Sequence, residues 1–183
     1  MRITGGIFKG RKVNPVKNPA IRPSKSMVRE ALFSILGPGY CSGKVIADLF
    51  SGTGIMALEA LSRSAQAAYC VDSDIKSCNL IKANFNFLDI PCADNIFHMS
   101  VSQALSQFSF SGAHFDIIFL DPPYNAPELG VNAIDMACTA NILAFDAVAV
   151  LEHRYNANLP ECREMSIWKQ KKYGHSMLTF YIL

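Results

Sequence analysis

The 183 residues hold no apolar run near the roughly 20 that a membrane-spanning helix needs, so a helical span is not expected. Six cysteines, at positions 41, 70, 78, 92, 138 and 162, show no Cys-x-x-Cys spacing. Neither a metal site nor a disulfide framework is therefore expected, and a reduced setting with cysteines as small core residues fits best. The four histidines (His98, His114, His153 and His175) lack ligand spacing and read as packing or surface groups. There is no internal repeat and no low-complexity tract. Met1-Arg2-Ile3-Thr4 lacks the apolar segment of a signal peptide, so a cytoplasmic location is expected. Acidic residues are missing from the first 29 positions, which carry eight Lys or Arg, whereas the remainder carries nine basic and fifteen acidic residues. The net charge of +2 thus hides a +8 arm on a −6 body. A simple solvated tail would explain this, but so would an arm that meets nucleic acid, through Arg2, Lys9, Arg11, Lys12, Arg22, Lys25 and Arg29.

Half of the residues are hydrophobic, enough for the core of one domain with a small appendage. Residues 1–23 read as a small β-rich arm, punctuated by Gly5-Gly6 and Gly10 and broken by Pro15, Pro19 and Pro23. The main domain then covers 24–183. Ser24 caps a helix with Val28, Ala31, Leu32, Ile35 and Leu36 at helical spacing, stopped by Gly37-Pro38-Gly39. Strands are predicted at 44–50, 67–71, 95–99, 115–120 and 147–151, with helices near 54–63, 74–88, 101–107 and 128–140 between them. Two more strands, near 163–168 and 176–182, follow without an intervening helix. This alternation predicts an α/β fold of the Rossmann-like type: a seven-stranded, mostly parallel sheet covered on both faces, with an antiparallel pair at its edge.

Chemistry concentrates where strands end. The run Phe115-Asp116-Ile117-Ile118-Phe119-Leu120 is followed by Asp121-Pro122-Pro123-Tyr124. Two prolines remove two backbone donors and stiffen the turn, leaving a ledge with a carboxylate, carbonyls and an aromatic ring. Such a ledge suits a flat base whose exocyclic amine must be gripped. That amine is a poor nucleophile because its lone pair is delocalised into the ring. Hydrogen bonds to the Asp121 carboxylate and the Pro122 carbonyl favour a tetrahedral nitrogen, and Tyr124 stacks on the base. The work is positioning and electrostatics and needs no metal.

Upstream, Asp48-Leu49-Phe50-Ser51-Gly52-Thr53-Gly54 joins the first of these strands to its helix. Gly52 and Gly54 permit close approach of a ligand, although the third glycine of a dinucleotide fingerprint is missing. Phe50, Ser51 and Thr53 belong to the same turn. Asp48 either orients a methionyl amine or holds the turn. Asp72, 24 residues on, stands near the offset of a ribose-binding acid, with Asp74 as a competitor. Ser100 ends the third strand of the alternation. All of these fall at the carboxyl ends of strands, where open α/β sheets bind ligands. Together they point to methyl transfer from S-adenosylmethionine to a base nitrogen.

These pieces resemble the RsmD family of 16S rRNA guanine-N2 methyltransferases over nearly the whole chain. The similar segments are Met1-Arg2-Ile3 through Lys9-Gly10-Arg11-Lys12, Arg22-Pro23-Ser24-Lys25 and Val28-Arg29-Glu30-Ala31-Leu32-Phe33. Asp48 to Gly54, Leu58-Glu59-Ala60-Leu61-Ser62-Arg63, Asp121 to Tyr124, Leu151-Glu152-His153 and Lys171-Lys172-Tyr173-Gly174 complete the set. The resemblance implies a class I S-adenosylmethionine-dependent methyltransferase fold and methylation of guanine 966 at N2. It also implies 16S rRNA, or an assembling 30S subunit, as partner; a monomer is expected. Two positions depart from the family pattern. Asp72 stands where Glu is usual, and Ser100 where Asp or Asn would meet the adenine amine, so weaker cofactor binding is expected. Competing readings are an N6-adenine DNA methyltransferase and an RNA-binding assembly factor without catalysis. The first lacks a visible target-recognition domain, and the second rests on Ser100 alone.

Overall fold

The computed structural model describes residues 1–14, 24–91 and 95–183, with the side chains of Ser24 and Lys25 excepted. Arg22, the Lys25 side chain, Cys92 and the three arm prolines therefore lie outside the described residues. Alternation of strand and helix yields β1 (Val45–Asp48), β2 (Ala67–Asp72), β3 (Ile96–His98), β4 (Phe115–Leu120), β5 (Leu143–Arg154), β6 (Ser166–Tyr173) and β7 (Ser176–Ile182). The helices are α1 (Ser24–Leu36), α2 (Ile55–Ser62), α3 (Ile75–Phe87), α4 (Val101–Ser111) and α5 (Glu128–Thr139). The seven strands form one sheet in the order β3-β2-β1-β4-β5-β7-β6. The first five are parallel, and β7 runs antiparallel to both β5 and β6.

Because side chains alternate across a strand, the central strands feed two cores. Ile46, Ile117 and Phe119 face one layer, with Val28, Leu32 and Phe33 of α1, Leu58 of α2 and Ile81 and Phe85 of α3. Ala47, Ile118 and Leu120 face the other, with Leu105 and Phe108 of α4 and Val131 and Ile134 of α5. Strand order reverses direction at β1, between β2 and β4, and this opens a crevice at the carboxyl ends of those three strands.

Two expected elements come out differently. The arm was expected to be β-rich; among its described residues, 1–14, it is a chain reversal closed by one isolated antiparallel bridge, Arg2 with Lys12. Residues 5–10 are taken up by bends and turns, with Gly6 and Gly10 at positive φ, and this leaves no length for strands. Instead the arm inserts Ile3 and Val13 into the first core. In addition, the strand expected near 163–168 is β6 at Ser166–Tyr173, so Lys169, Lys171 and Lys172 lie on an exposed edge strand.

Candidate functional site

Pairing of β1 with both neighbours sets Asp48 beside Cys70 of β2 and Phe119 of β4. The chain then leaves the sheet through a tight turn. The Ser51 hydroxyl donates to the Asp48 carbonyl at 2.6 Å, and the Gly54 amide donates to the Ser51 carbonyl at 2.8 Å. Gly52 and Gly54 adopt φ of +54° and +72°, the left-handed region that favours glycine. A Cβ on Gly54 would press on Ile81 at 3.0 Å, whereas one on Gly52 would meet nothing within 4 Å. Gly54 is thus fixed by helix packing, and Gly52 presents open backbone. Asp72 fastens the turn from the next strand: its Oδ2 accepts from the Gly52 amide at 2.8 Å and its Oδ1 from the Asp74 amide at 2.8 Å. Asp74 caps α3 by accepting from the Lys76 amide, which accounts for the competing acid.

Asp48 is the unusual group here. It is 2 % exposed, and its Oδ2 has no hydrogen-bond partner. Burial pushes its carboxyl up to about 8, against the lowering pull of the Ala57 amide, and the charges of Asp121 and Asp72 raise it further. Three carboxylates from β1, β2 and the end of β4 therefore share one electrostatic neighbourhood. A buried carboxyl with an orphan oxygen beside two more acids is a site that a cation would relieve. S-adenosylmethionine, with its ammonium and sulfonium charges and its ribose hydroxyls, fits that donor set. Asp48, Asp72 and the Phe50-Ser51-Gly52-Thr53-Gly54 turn are the residues that could hold it.

Beyond β4, Asp121 is partly buried and Pro122 is buried. A side chain at Gly130 would come within 3.3 Å of the Pro122 ring and clash with Leu151, so α5 packs directly on the ledge. The Pro123 carbonyl accepts from the Ala126 amide at 2.9 Å and closes the turn. Tyr124 points to solvent, 37 % exposed, with the Arg154 guanidinium 5.4 Å from its ring centroid.

The other expected site residues lie outside the glycine turn and the ledge. The Ser100 hydroxyl is engaged in a capping box at the start of α4, where Ser100 and Gln103 bond reciprocally. Arg2, Lys9, Arg11 and Lys12 are exposed on the arm. Arg29 is a correction: it is 3 % exposed, so it is no surface contact for RNA. Its Nε donates to Glu59 at 2.8 Å and its Nη2 to the Arg2 carbonyl at 2.8 Å.

Glu59 and Asn84 are the residues that sequence reasoning left without a role. Glu59, fully buried, accepts from Arg29, Arg63, and both the amide and hydroxyl of Thr4. Asn84 accepts from the Asn14 amide at 2.9 Å and donates to the carbonyls of Asn14 and Thr53. One side chain thus ties the arm to the glycine turn. The signal within reach was a charged residue on the apolar side of α2, flanked by Leu58 and Ala60.

A sheet of this order, with an acid-clasped glycine turn at its switch point and a proline ledge one strand away, is the architecture of Rossmann-like class I methyltransferases. Comparison with known proteins takes the assignment further. The family model described as Conserved hypothetical protein 95 matches residues 1–182. Ribosomal RNA small subunit methyltransferase D of Haemophilus influenzae is 30% identical over 175 residues, 95% of this chain and 89% of that protein. YlbH of Bacillus subtilis is 30% identical over 182 residues, 99% of this chain and 98% of its own length. The solved structure of Escherichia coli yhhF superposes with a TM-score of 0.83 at 28% identity, covering 100% of this chain and 97% of that one. The chain belongs to this family, the RsmD family.

Proposed function

We propose that the protein transfers a methyl group from S-adenosylmethionine to the exocyclic N2 of a guanine in 16S rRNA, at a position of the guanine-966 type. The observation that carries this reading is the convergence of Asp48, Asp72 and Asp121 around an open glycine turn, next to an exposed tyrosine on a diproline ledge. The family relatives named ribosomal RNA small subunit methyltransferase D support the choice of substrate.

S-adenosylmethionine, when bound, supplies an electrophilic methyl carbon on a positively charged sulfur. The chain's own residues do the rest. Asp72 supplies negative charge, Asp48 does so once the cofactor's positive charge draws off its proton, both offer hydrogen-bond acceptors, and the Gly52 backbone leaves room for close approach. The Asp121 carboxylate and the Pro122 carbonyl accept hydrogen bonds from the guanine amine and draw its nitrogen toward a tetrahedral shape. Tyr124 stacks on the base and fixes its direction of approach. Ser100, whose hydroxyl caps α4, stands at the adenine end. The basic arm, 1–23, guides the RNA through Arg2, Lys9, Arg11 and Lys12, the catalytic domain being 24–183. The protein works as a cytoplasmic monomer on rRNA or on an assembling small subunit.

Radiolabelled S-adenosylmethionine offered with 16S rRNA, small ribosomal subunits and duplex DNA tests the reading. Label is expected in one or both RNA substrates. Label in DNA alone would replace this reading with that of an adenine methyltransferase, and binding of RNA without any label would leave an assembly factor.

A further inference from the structure

A second feature lies on the same edge of the sheet. β5 carries the chain past Leu151, which pairs with Leu120, to Arg154, which pairs with Ser176 at the start of β7. The β6–β7 turn, with Gly174 at φ +58°, folds over at that edge, and the Tyr155 amide donates to the His175 carbonyl at 3.0 Å. Between strand end and hairpin lies a cavity of about 270 Å³ lined by Arg154, Tyr155, Asn156 and His175. Tyr155 is 46 % exposed, and the Lys172 ammonium sits 3.5 Å from its ring centroid. On the opposite flank, the Arg154 guanidinium lies over Tyr124. Two cations on two exposed aromatic rings thus flank the stretch from the ledge to the hairpin, and Asn156 and His175 complete the lining of the cavity.

We propose that this cavity is a subsite for the RNA nucleotide adjoining the target base, the inference resting on the rRNA reading above. Chemistry on a base amine requires the base to leave its stack, which draws the neighbouring nucleotide and its phosphates to the protein surface. Single strands are gripped by aromatic rings that take a base face and by cations that track the backbone. Tyr155 offers the ring, Arg154 and Lys172 the cations, and Asn156 and His175 the polar edge. Cation–π contacts at exposed sites are weak, so both cations can turn to a phosphate. The volume suits one nucleotide and is too small for a duplex.

The test is equilibrium binding of a 16S rRNA transcript and of purified small subunits to the wild-type chain and to Lys172→Gln, Tyr155→Ala and Tyr155→Phe, between roughly 50 and 200 mM salt. Calorimetric binding of S-adenosylmethionine runs alongside. Lys172→Gln is expected to flatten the slope of log affinity against log salt by about 0.7–0.9. Tyr155→Ala is expected to weaken RNA binding about five-fold or more, Tyr155→Phe to retain it, and cofactor affinity to stay at the wild-type value in all three. Wild-type affinity and slope in both Lys172→Gln and Tyr155→Ala would overturn the subsite and leave the methylation reading standing. Loss of RNA binding in those variants, with no methyl reaching rRNA from the wild type, would keep the subsite and remove the methylation reading.

Discussion

Asp48 shows how far one side chain can be read from its surroundings. Its carboxyl is raised to about 8 by burial first, with Asp121 and Asp72 adding to the shift. An acid whose folded value exceeds its unfolded value of roughly 3.9 holds more protons folded than unfolded between the two. Its contribution to stability therefore falls as pH rises from about 4 to about 8. Asp48→Asn removes that fall, so calorimetric unfolding of the cofactor-free protein should give a higher Tm than wild type near pH 8, a gap that closes toward pH 4. The same variant should lose affinity for S-adenosylmethionine. A Tm below wild type near pH 8, with the gap closing toward pH 4, would show instead that the ionised carboxylate stabilises the turn. At Asp121, replacement by Ala should cut methyl transfer at least about 100-fold while RNA affinity stays near wild type; comparable turnover would remove its catalytic role. Neither environment was visible beforehand. The strand-end positions of Asp48, Asp72 and Asp121 were legible from the apolar runs before them, but burial and mutual charge depend on register. Arg29 failed for the same reason: an arginine in a basic stretch reads as solvated until Glu59, thirty residues on, turns out to meet it inside.

Among the elements, the central β1–α2–β2–α3 and β4–α5 units follow the hydrophobic pattern closely. Buried parallel strands are continuous apolar runs and their helices are amphipathic. The edges were less legible. β5 extends at both ends beyond the apolar 147–151 stretch, held in part by antiparallel pairing with β7 through Arg154. β6 was expected near 163–168 but runs Ser166–Tyr173; nearly every residue of it is exposed, so no alternation fixes its bounds. The arm read as β-rich and punctuated by glycines, and its tertiary contacts decide the conformation of residues 1–14. A Cβ at Gly6 would fall 1.7 Å from the Ser62 carbonyl oxygen at φ +77°. Beside it, Glu59 joins Thr4, Arg29 and Arg63. Glu59→Ala leaves Arg29 buried without that carboxylate, at a cost of about 3–5 kcal/mol. At roughly 2–4 °C per kcal/mol for a chain of this size, thermal unfolding should shift down by about 10 °C. An unchanged Tm would mean that the cluster is not holding the arm.

For the whole molecule, charge and fold act together. The arm's exposed cations stand on an otherwise acidic body, and Asn84 couples that arm to the cofactor turn. Charge reversal at Arg11 and Lys12 should weaken RNA binding and flatten its salt dependence by about two phosphate contacts; an unchanged slope would show that the arm does not touch the backbone. The central claim is that the ledge after β4 presents a guanine amine to an activated methyl. Its most direct test is nucleoside analysis of 16S rRNA, from small subunits lacking the modification, after reaction with the wild-type chain and with Asp121→Ala. N2-methylguanosine at a single position with the wild type, absent with the variant, is the predicted result. N6-methyladenosine, or equal methylation by both proteins, would contradict it.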